Sequence, residues 1–377
     1  MSRPYQQCVS CVMDTTDSAI SFDERGVCDH CTTFQNHTIP NWPQGDAARS
    51  QLEKMVEGIK LSGRGRDFDC VIGMSGGIDS SYLTYIAKEQ LGLRPLVFHV
   101  DAGWNSQIAV NNIERVVDGL GLDLFTEVID WEEMRDLQLA FFKSGVPHID
   151  APQDYAFFAT MYRFASKYKV KAILTGANLS TECVRNPVEW MYYQSDTSQL
   201  RDIHRRFGTR PLKRFPVTSV LWHKVWLPYV RKIEVLRPLN LVKYVKSEAM
   251  ELLQSRFGWQ PYPQKHFESR FTRFYESYWL PERFGYDVRR VQFSSLILTG
   301  QMTRSEAISK LRQPTYDADM IREKEFVANK LRVSVEDLEA FMALPKRTYR
   351  DYRNQRRIYD LGARVLRSLG REVGGKR

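Results

Sequence analysis

Between Asp67 and Asn178, short apolar runs alternate with longer stretches of helical period. Asp69 to Met74, Leu96 to Val100, Leu124 to Ile129 and Ala172 to Leu174 read as strands. Tyr82–Gln90, Val110–Leu120, Trp131–Lys143 and Tyr155–Tyr168 read as helices. This alternation predicts an α/β fold with a parallel, doubly wound sheet. An amphipathic helix precedes it, Ala47 to Leu61, with Leu52, Met55, Val56 and Ile59 on one face. Pro40 to Gly45 reads as a linker. From about Asn186 to Val245 the period is weak and Trp, Tyr, Arg and Pro are frequent, which suggests an inserted, mostly helical cap. Beyond Asp287 the chain reads as all-helical, with a capping box at Thr303-Arg304-Ser305-Glu306 and another helix start at Ser334. Four regions follow: 1–40, 41–185, 186–285 and 286–377.

The first strand runs straight into Ser75-Gly76-Gly77-Ile78-Asp79-Ser80-Ser81, with a helix after it. A strand-to-helix turn exposes backbone N–H groups to which the helix dipole draws an anion. Gly76 and Gly77 allow the main chain to approach a phosphate, and the serine hydroxyls add donors. No G-x-x-x-x-G-K-[ST] is present, so this is not a Walker loop. SGGxDS in this setting resembles the pyrophosphate (PP) loop of the ATP pyrophosphatase superfamily, whose members split ATP to AMP and pyrophosphate to adenylate a substrate oxygen. The resemblance implies an adenine nucleotide alpha hydrolase-like domain. Ligands of doubly wound sheets collect at the carboxyl ends of strands, where Asp101, Asn105 and Thr175–Asn178, including Gly176, also fall. A helix cap at Asp101 and a plain turn at Gly176 are the competing readings. Glu182, shortly after, could be a base or a metal ligand, or simply be solvated.

Composition changes this picture little. At 43% hydrophobic and 26% charged residues the chain reads as a soluble globular protein, with no apolar run long enough to span a membrane and no apolar signal core, so a cytoplasmic location is expected. The net charge of +9 is a local matter. Lys346 to Arg377 hold 11 basic and 3 acidic residues, which leaves 43 basic against 42 acidic in the rest. A body so close to neutral argues against a nucleic-acid partner. In the tail, Ile358, Leu361, Val365 and Leu369 share one helical face, suited to packing on the body, a partner or an acidic membrane surface.

Cys8-x-x-Cys11 and Cys28-x-x-Cys31 have the spacing of a structural zinc site, in which four thiolates close a tetrahedron. An iron–sulfur cluster or a disulfide set are the alternatives, and His30 could replace one cysteine. A second polar cluster, Lys265 to Arg273, is interleaved with Phe267, Phe271 and Phe274, whose spacing predicts one buried helix face. That face would fix Lys265 and Arg270 to neutralise a pyrophosphate, and His266 or Glu268 to move protons.

Taken together, C-V-S-C-V-M-D, C-D-H-C, SGGIDS, H-V-D-A-G-W-N-S, L-T-G-A-N and K-H-F-E-S-R-F-T-R-F resemble the N-acetyl sugar amidotransferase family (WbpG- and PseA-like enzymes of lipopolysaccharide O-antigen and flagellin glycans), from Cys8 to about Pro314. The resemblance implies conversion of an acetamido group to acetamidino on a nucleotide-linked diacetamido uronic acid, with ATP, Mg²⁺ and ammonia. Ser75, Gly76, Gly77, Ile78, Asp79 and Ser80 would bind the pyrophosphate, Asp79 acting through Mg²⁺, and Asp101 and Gly176 would border the nucleotide. None of the six cysteines lies in a G-x-C-x-G elbow, so ammonia is expected from a separate glutaminase subunit with a synthase-like companion. The competing expectation is an ATP-dependent tRNA thiolase of the same superfamily, which would need a reactive cysteine or cluster beside the loop.

Overall fold

The structure, a computed structural model, describes residues 3–368. Its centre is a five-stranded parallel sheet in the order β3-β2-β1-β4-β5. The strands are β1 Cys70–Gly73, β2 Pro95–Asp101, β3 Leu124–Val128, β4 Ala172–Leu174 and β5 Glu234–Leu236. Val71 pairs with Leu96 and Ile173, and Ile72 with Val97 and Leu174. Side chains alternate across a strand, so each apolar run feeds both faces at once. Val71, Leu96, Phe98 and Ile173 pack into one core with Phe141, Phe142 and Phe164. Cys70, Ile72, Val97 and Leu174 pack into a second with Ile59, Leu83 and Ile113. The sheet is therefore wound on both faces, as the alternation predicts.

The covering helices are α1 Gly45–Ser62, α2 Ile78–Tyr85, α3 Gln107–Leu120, α4 Trp131–Ser144 and α5 Ala151–Lys167. Helix α2 starts four residues before Tyr82, because Gly77 is extended and serves as its N-cap. Asp79 and Ser80 thus sit in its first turn. Strand β5 is the main surprise. It lies in the stretch expected to be a mostly helical cap, and its three residues are too few to show a period.

The N-terminal module is fastened to the C-terminal helices. Arg304, at the start of α8 (Arg304–Leu311), donates to the Cys8 and Cys11 carbonyls at 2.8 and 2.9 Å. Arg290 reaches the Val12 carbonyl and the Asp14 carboxylate at 3.0 Å. It belongs to α7 (Arg289–Leu298), and α6 (Arg270–Phe274) lies before it.

The single helix expected through Phe267, Phe271 and Phe274 begins only at Arg270. Residues 265–268 form turns, Ser269 makes an isolated bridge with Asn105, and His266 has φ +69°. All three phenylalanines are buried, Phe267 from a turn. A π-helix, Tyr275–Phe284, continues α6, and α9 (Met320–Leu331) packs beside it.

The last helix, α10 (Arg356–Ser368), docks through Tyr359, which stacks on Tyr193 at 4.2 Å and bonds the Ser195 hydroxyl at 2.8 Å. Ile358 and Leu361 of the expected apolar face are exposed. Leu369 and the side chain of Val365 lie outside the described residues. Among the described residues, no helix is long and apolar enough to cross a membrane.

Candidate active site

Strand order reverses between β1 and β4, and a cavity of about 810 Å³ opens at their carboxyl ends. Ser75, Gly77, Ile78, Asp79 and Ser80 line it. Gly76, at φ +84°, takes the left-handed conformation, and a β-carbon there would lie 2.6 Å from the Ala109 carbonyl oxygen. The Ser80 hydroxyl accepts from the Ser75 N–H at 3.3 Å and lies 3.4 Å from the Ser75 hydroxyl, folding the loop over the N-terminus of α2. Gly176, after β4, abuts this turn. A β-carbon on it would meet the Asp79 carbonyl carbon and the Ser80 nitrogen at 2.9 Å. The absence of a side chain at Gly176 is what lets the two loops touch.

Asp79 is the hub. Its Oδ1 accepts from Tyr244 at 2.6 Å and from Asn178 at 3.1 Å, and its Oδ2 lies 3.1 Å from Lys265 Nζ. Burial alone would raise the Asp79 carboxyl, but the Lys265 charge and the Tyr244 hydroxyl overcome it and hold the pKa below the usual carboxylate value. Lys265 also pairs with Glu182 at 2.7 Å. Burial would lower its pKa, yet the Asp79 and Glu182 charges lift it above the usual lysine value. Two carboxylates converging on one ammonium make a hard oxygen pair of the kind Mg²⁺ takes. Lys246, which nothing in the sequence marks, also lines the cavity, its pKa lowered by burial and by Lys265.

Residues 268–270 thread beside the loop after β2. The Glu268 carbonyl accepts from the Ser106 N–H at 2.8 Å, and the Arg270 N–H donates to the Trp104 carbonyl at 2.9 Å. This places Glu268 Oε1 3.1 Å from the Ser75 hydroxyl, in the mouth of the phosphate loop. His266 Nδ1 lies 2.9 Å from Glu276 Oε1. Burial opposes its charge, but Glu276 prevails and pushes its pKa up to about 9. At neutral pH this imidazolium can donate a proton and cannot accept one.

Two expected site residues lie elsewhere. Arg270 grips Glu323 of α9 at 3.0 and 3.1 Å and lies 3.3 Å over the Phe326 ring, outside the cavity wall. As the first residue of α6 it points to the helical layer, so the pyrophosphate-clamping role does not fit it. Asp101 Oδ1 accepts from the Gly103 N–H at 2.7 Å and from Asn105 at 3.2 Å. It ties its own loop and does not line the cavity, nor is it the helix cap that competed for it on sequence, since Ser106 caps the helix that follows. His99 and Asn105 line the wall in its place, 2.9 Å apart. Asn105 donates to His99 Nε2, so Nδ1 carries the proton and donates to the Met74 carbonyl at 2.8 Å.

The far end of the cavity was not foreseen. His148, Asp150, Asp154, Tyr193, Ser195, Tyr275 and Glu276 line it. Burial, reinforced by the Glu276 charge, pushes the Asp150 carboxyl up to about 6, although Thr272 and Gln153 hydrogen-bond it.

The cysteine cluster packs with Val184 and Val291, which line the cavity. Sγ–Sγ distances are 3.8 Å for Cys8–Cys31 and 3.6 Å for Cys11–Cys28 and Cys28–Cys31, and all four sulfurs lie within 4.8 Å of one another. No disulfide is formed. Tetrahedral bonds of about 2.3 Å give an edge of about 3.8 Å, so one ion of zinc size fits. His30 is no ligand; its Nε2 bonds Asp17 at 2.9 Å. The other cysteines, Cys70 and Cys183, do not line the cavity. Burial raises both thiols, Cys183 up to about 11.

A doubly wound sheet with SGGIDS at its switch point, locked to Gly176, resembles the arrangement of the PP-loop class. Residues 268–366 match the family model described as "LPS biosynthesis protein WbpG-like, C-terminal domain". The C-terminal helical region is therefore WbpG-like, in agreement with the motif resemblance.

No curated protein matches the chain. Among solved structures, an NH3-dependent NAD synthetase from Campylobacter jejuni is 14% identical, covering 80% of this chain and 98% of its own, at a TM-score of 0.33. An NMN synthetase from Francisella tularensis is 16% identical over 80% and 98%, at 0.30. The U34-tRNA thiolase NcsA from Methanococcus maripaludis, with its [4Fe-4S] cluster, is 12% identical over 92% and 91%, at 0.33. Superpositions this loose carry no argument about chemistry.

Proposed function

We propose that the protein is an ATP-dependent, AMP-forming sugar amidotransferase. It converts an acetamido group of a nucleotide-linked diacetamido uronic acid to acetamidino, in O-antigen or a related glycan pathway. The observation that carries this reading is the joining of SGGIDS to the Lys265–Glu268 segment in one cavity, immediately ahead of and overlapping a WbpG-like C-terminal domain. An amide carbonyl is a poor electrophile, and its oxygen becomes a good leaving group once it carries AMP. Loop N–H groups, the Ser75 and Ser80 hydroxyls, Lys265 and Lys246 hold the departing pyrophosphate. Asp79 and Glu182 would hold Mg²⁺, which offsets triphosphate charge when bound.

Zinc at Cys8, Cys11, Cys28 and Cys31 is structural in this reading, since those residues are buried and closed to substrate. Ammonia comes from a separate glutaminase with its synthase-like companion, in the cytoplasm, and no nucleic acid takes part. The absence of any cysteine from the cavity wall, among the described residues, weighs against thiolation.

The test is AMP release by purified protein with ammonium chloride, with and without a UDP-linked diacetamido uronic acid. Sugar-dependent AMP and a product in which NH replaces O are expected. AMP release that responded to tRNA and not to sugar would replace this reading with a thiolase.

A further inference from the structure

The cavity wall also holds a group that the described structure leaves unsatisfied. Tyr275 is 1% exposed, lines the cavity, and its hydroxyl has no hydrogen-bond partner. Buried polar groups are nearly always paired, so an orphan on a cavity-lining side chain marks a place where a ligand completes the bonding.

Its surroundings state which ligand. Asp150, Asp154 and Glu276 line the same chamber. After burial, their charges are what push the Tyr275 hydroxyl well above its usual pKa, which places them around it. Asp150 Oδ2 accepts from the Thr272 hydroxyl at 2.8 Å, and its Oδ1 from Gln153. A carboxylate has about four acceptor positions, so Asp150 keeps capacity toward the cavity. Gln194 bonds Asp154 and His266 offsets the Glu276 charge, so Asp150 carries the negative charge that faces Tyr275. What remains is a small, net-negative chamber of acceptors. It would repel phosphate or carboxylate and accept a compact cation that carries N–H donors on every side.

We propose that Asp150, Glu276 and Tyr275 form an ammonium subsite, in which Asp150 takes the proton that turns ammonium into a nucleophile. This rests on the C–N bond-forming reading above. The balance is as follows. Ammonium gives one proton to the Asp150 carboxylate, and the freed lone pair forms the C–N bond at the adenylated carbon. The adduct loses a second proton to cavity water. The C–O bond then breaks, its electron pair leaves with AMP, and the amidinium keeps the remaining hydrogens. Glu276, held by His266, and the Tyr275 oxygen orient the ammonium hydrogens. The two ends of the cavity thus handle opposite charges, pyrophosphate at the loop and ammonium at the far wall.

Two measurements test this. Crystals of the full chain soaked in thallium(I), a cation of ammonium size, should show an anomalous peak within bonding distance of Asp150 and Glu276, lost in Asp150→Asn. A thallium peak elsewhere or none overturns the subsite, whatever the enzyme's reaction. With the UDP-linked diacetamido uronic acid, ATP–pyrophosphate exchange reports adenylation without ammonia. Asp150→Asn should leave exchange within about twofold and raise KM for ammonium chloride at least tenfold, and Tyr275→Phe should raise it about threefold. Equal loss of exchange and amidination in Asp150→Asn, or an unchanged ammonium KM, also overturns the proposal. Failure of the wild type to exchange at all would count against the proposed function, and the thallium result would still decide the subsite.

Discussion

At the loop end of the cavity, backbone N–H groups, Lys265 and Lys246 gather positive charge around Asp79. At the far end Asp150, Asp154 and Glu276 gather negative charge around a phenol, with His266 between the two. The first end comes mostly from one contiguous stretch, because a loop that wraps an anion must take its donors from successive residues. The second is assembled from α5 and its N-cap, the π-helix after α6, and the turn at His266. An anion loop is a local structure, whereas a cation chamber of acceptors is made by packing distant elements together. The difference decides which half of the site a sequence can display.

The largest expected effect falls on the loop end. Asp79→Ala removes the acceptor shared by Tyr244, Asn178 and Lys265, and leaves Lys265 with Glu182 and the Thr181 hydroxyl. We expect AMP release to fall by on the order of a thousandfold, since positioned charge at the transferring phosphoryl group supplies most of such catalysis. Chromatographic measurement of AMP checks it. A loss of less than tenfold would mean that Asp79 only braces the loop, and the contrast between the two ends would weaken.

Next comes the contact that joins β1 and β4. Gly176→Val puts its β-carbon 2.9 Å from the backbone of Asp79 and Ser80, where neither atom can swing aside. We expect kcat/KM for ATP to fall about tenfold to a hundredfold, with a loss of about 1–3 kcal/mol in stability from overpacking. Denaturant melts and ATP titrations read the two separately. Unchanged ATP kinetics would show that the loop tolerates displacement.

These outcomes bear on what was legible. The sheet could be read because its buried strands are unbroken apolar runs, and the phosphate loop because its residues are adjacent. The four zinc-spaced cysteines were legible for the same local reason. Strand β5 was hidden by its length, and the carboxylate end because Asp150, Tyr275 and Glu276 carry no motif. Arg270 misled by adjacency: it lies two residues from Glu268 but on the other side of the backbone, where α6 turns toward α9.

A smaller effect separates the two ends by pH. The Asp150 carboxyl sits at about 6, raised by burial and Glu276 against the Thr272 and Gln153 hydrogen bonds and the His266 charge. Its base form disappears as pH falls through that value. His266 sits at about 9, raised by Glu276 and Glu268 against burial and Lys265. Its pair with Glu276 is lost as pH rises past that value. Amidination should therefore be flat between about pH 6 and 9, with both limbs sharper than those of ATP–pyrophosphate exchange. For stability the two shifts share one sign, since each raised pKa weakens the fold as pH rises. His266, raised from 6.5, contributes fully below that pH and loses its contribution as pH rises through about 9. Asp150, raised from 3.8, costs stability as it ionises between 3.8 and about 6. Identical limbs in the two assays would place the titrating groups at the loop.

The smallest effect on catalysis is expected where the sequence placed a clamp. Arg270 bonds Glu323 through two nitrogens and covers Phe326, and Arg273 at 3.5 Å is the weaker second partner of that carboxylate. Glu323 is 6% exposed, so Arg270→Met strips most of its pairing while it remains buried. Breaking such a pair from one side costs about 3 kcal/mol, which a lower melting temperature and denaturant midpoint should reveal. The fold around the cavity does not depend on this bond, so kcat for AMP release should stay within about threefold at a temperature where the variant is folded. Glu323→Gln should recover part of the lost stability in the double variant, because it removes the stranded charge. A hundredfold loss of AMP release with an unchanged melting temperature would instead mean that Arg270 leaves Glu323 to meet the triphosphate, and the positive end of the cavity would then reach across into the helical layer.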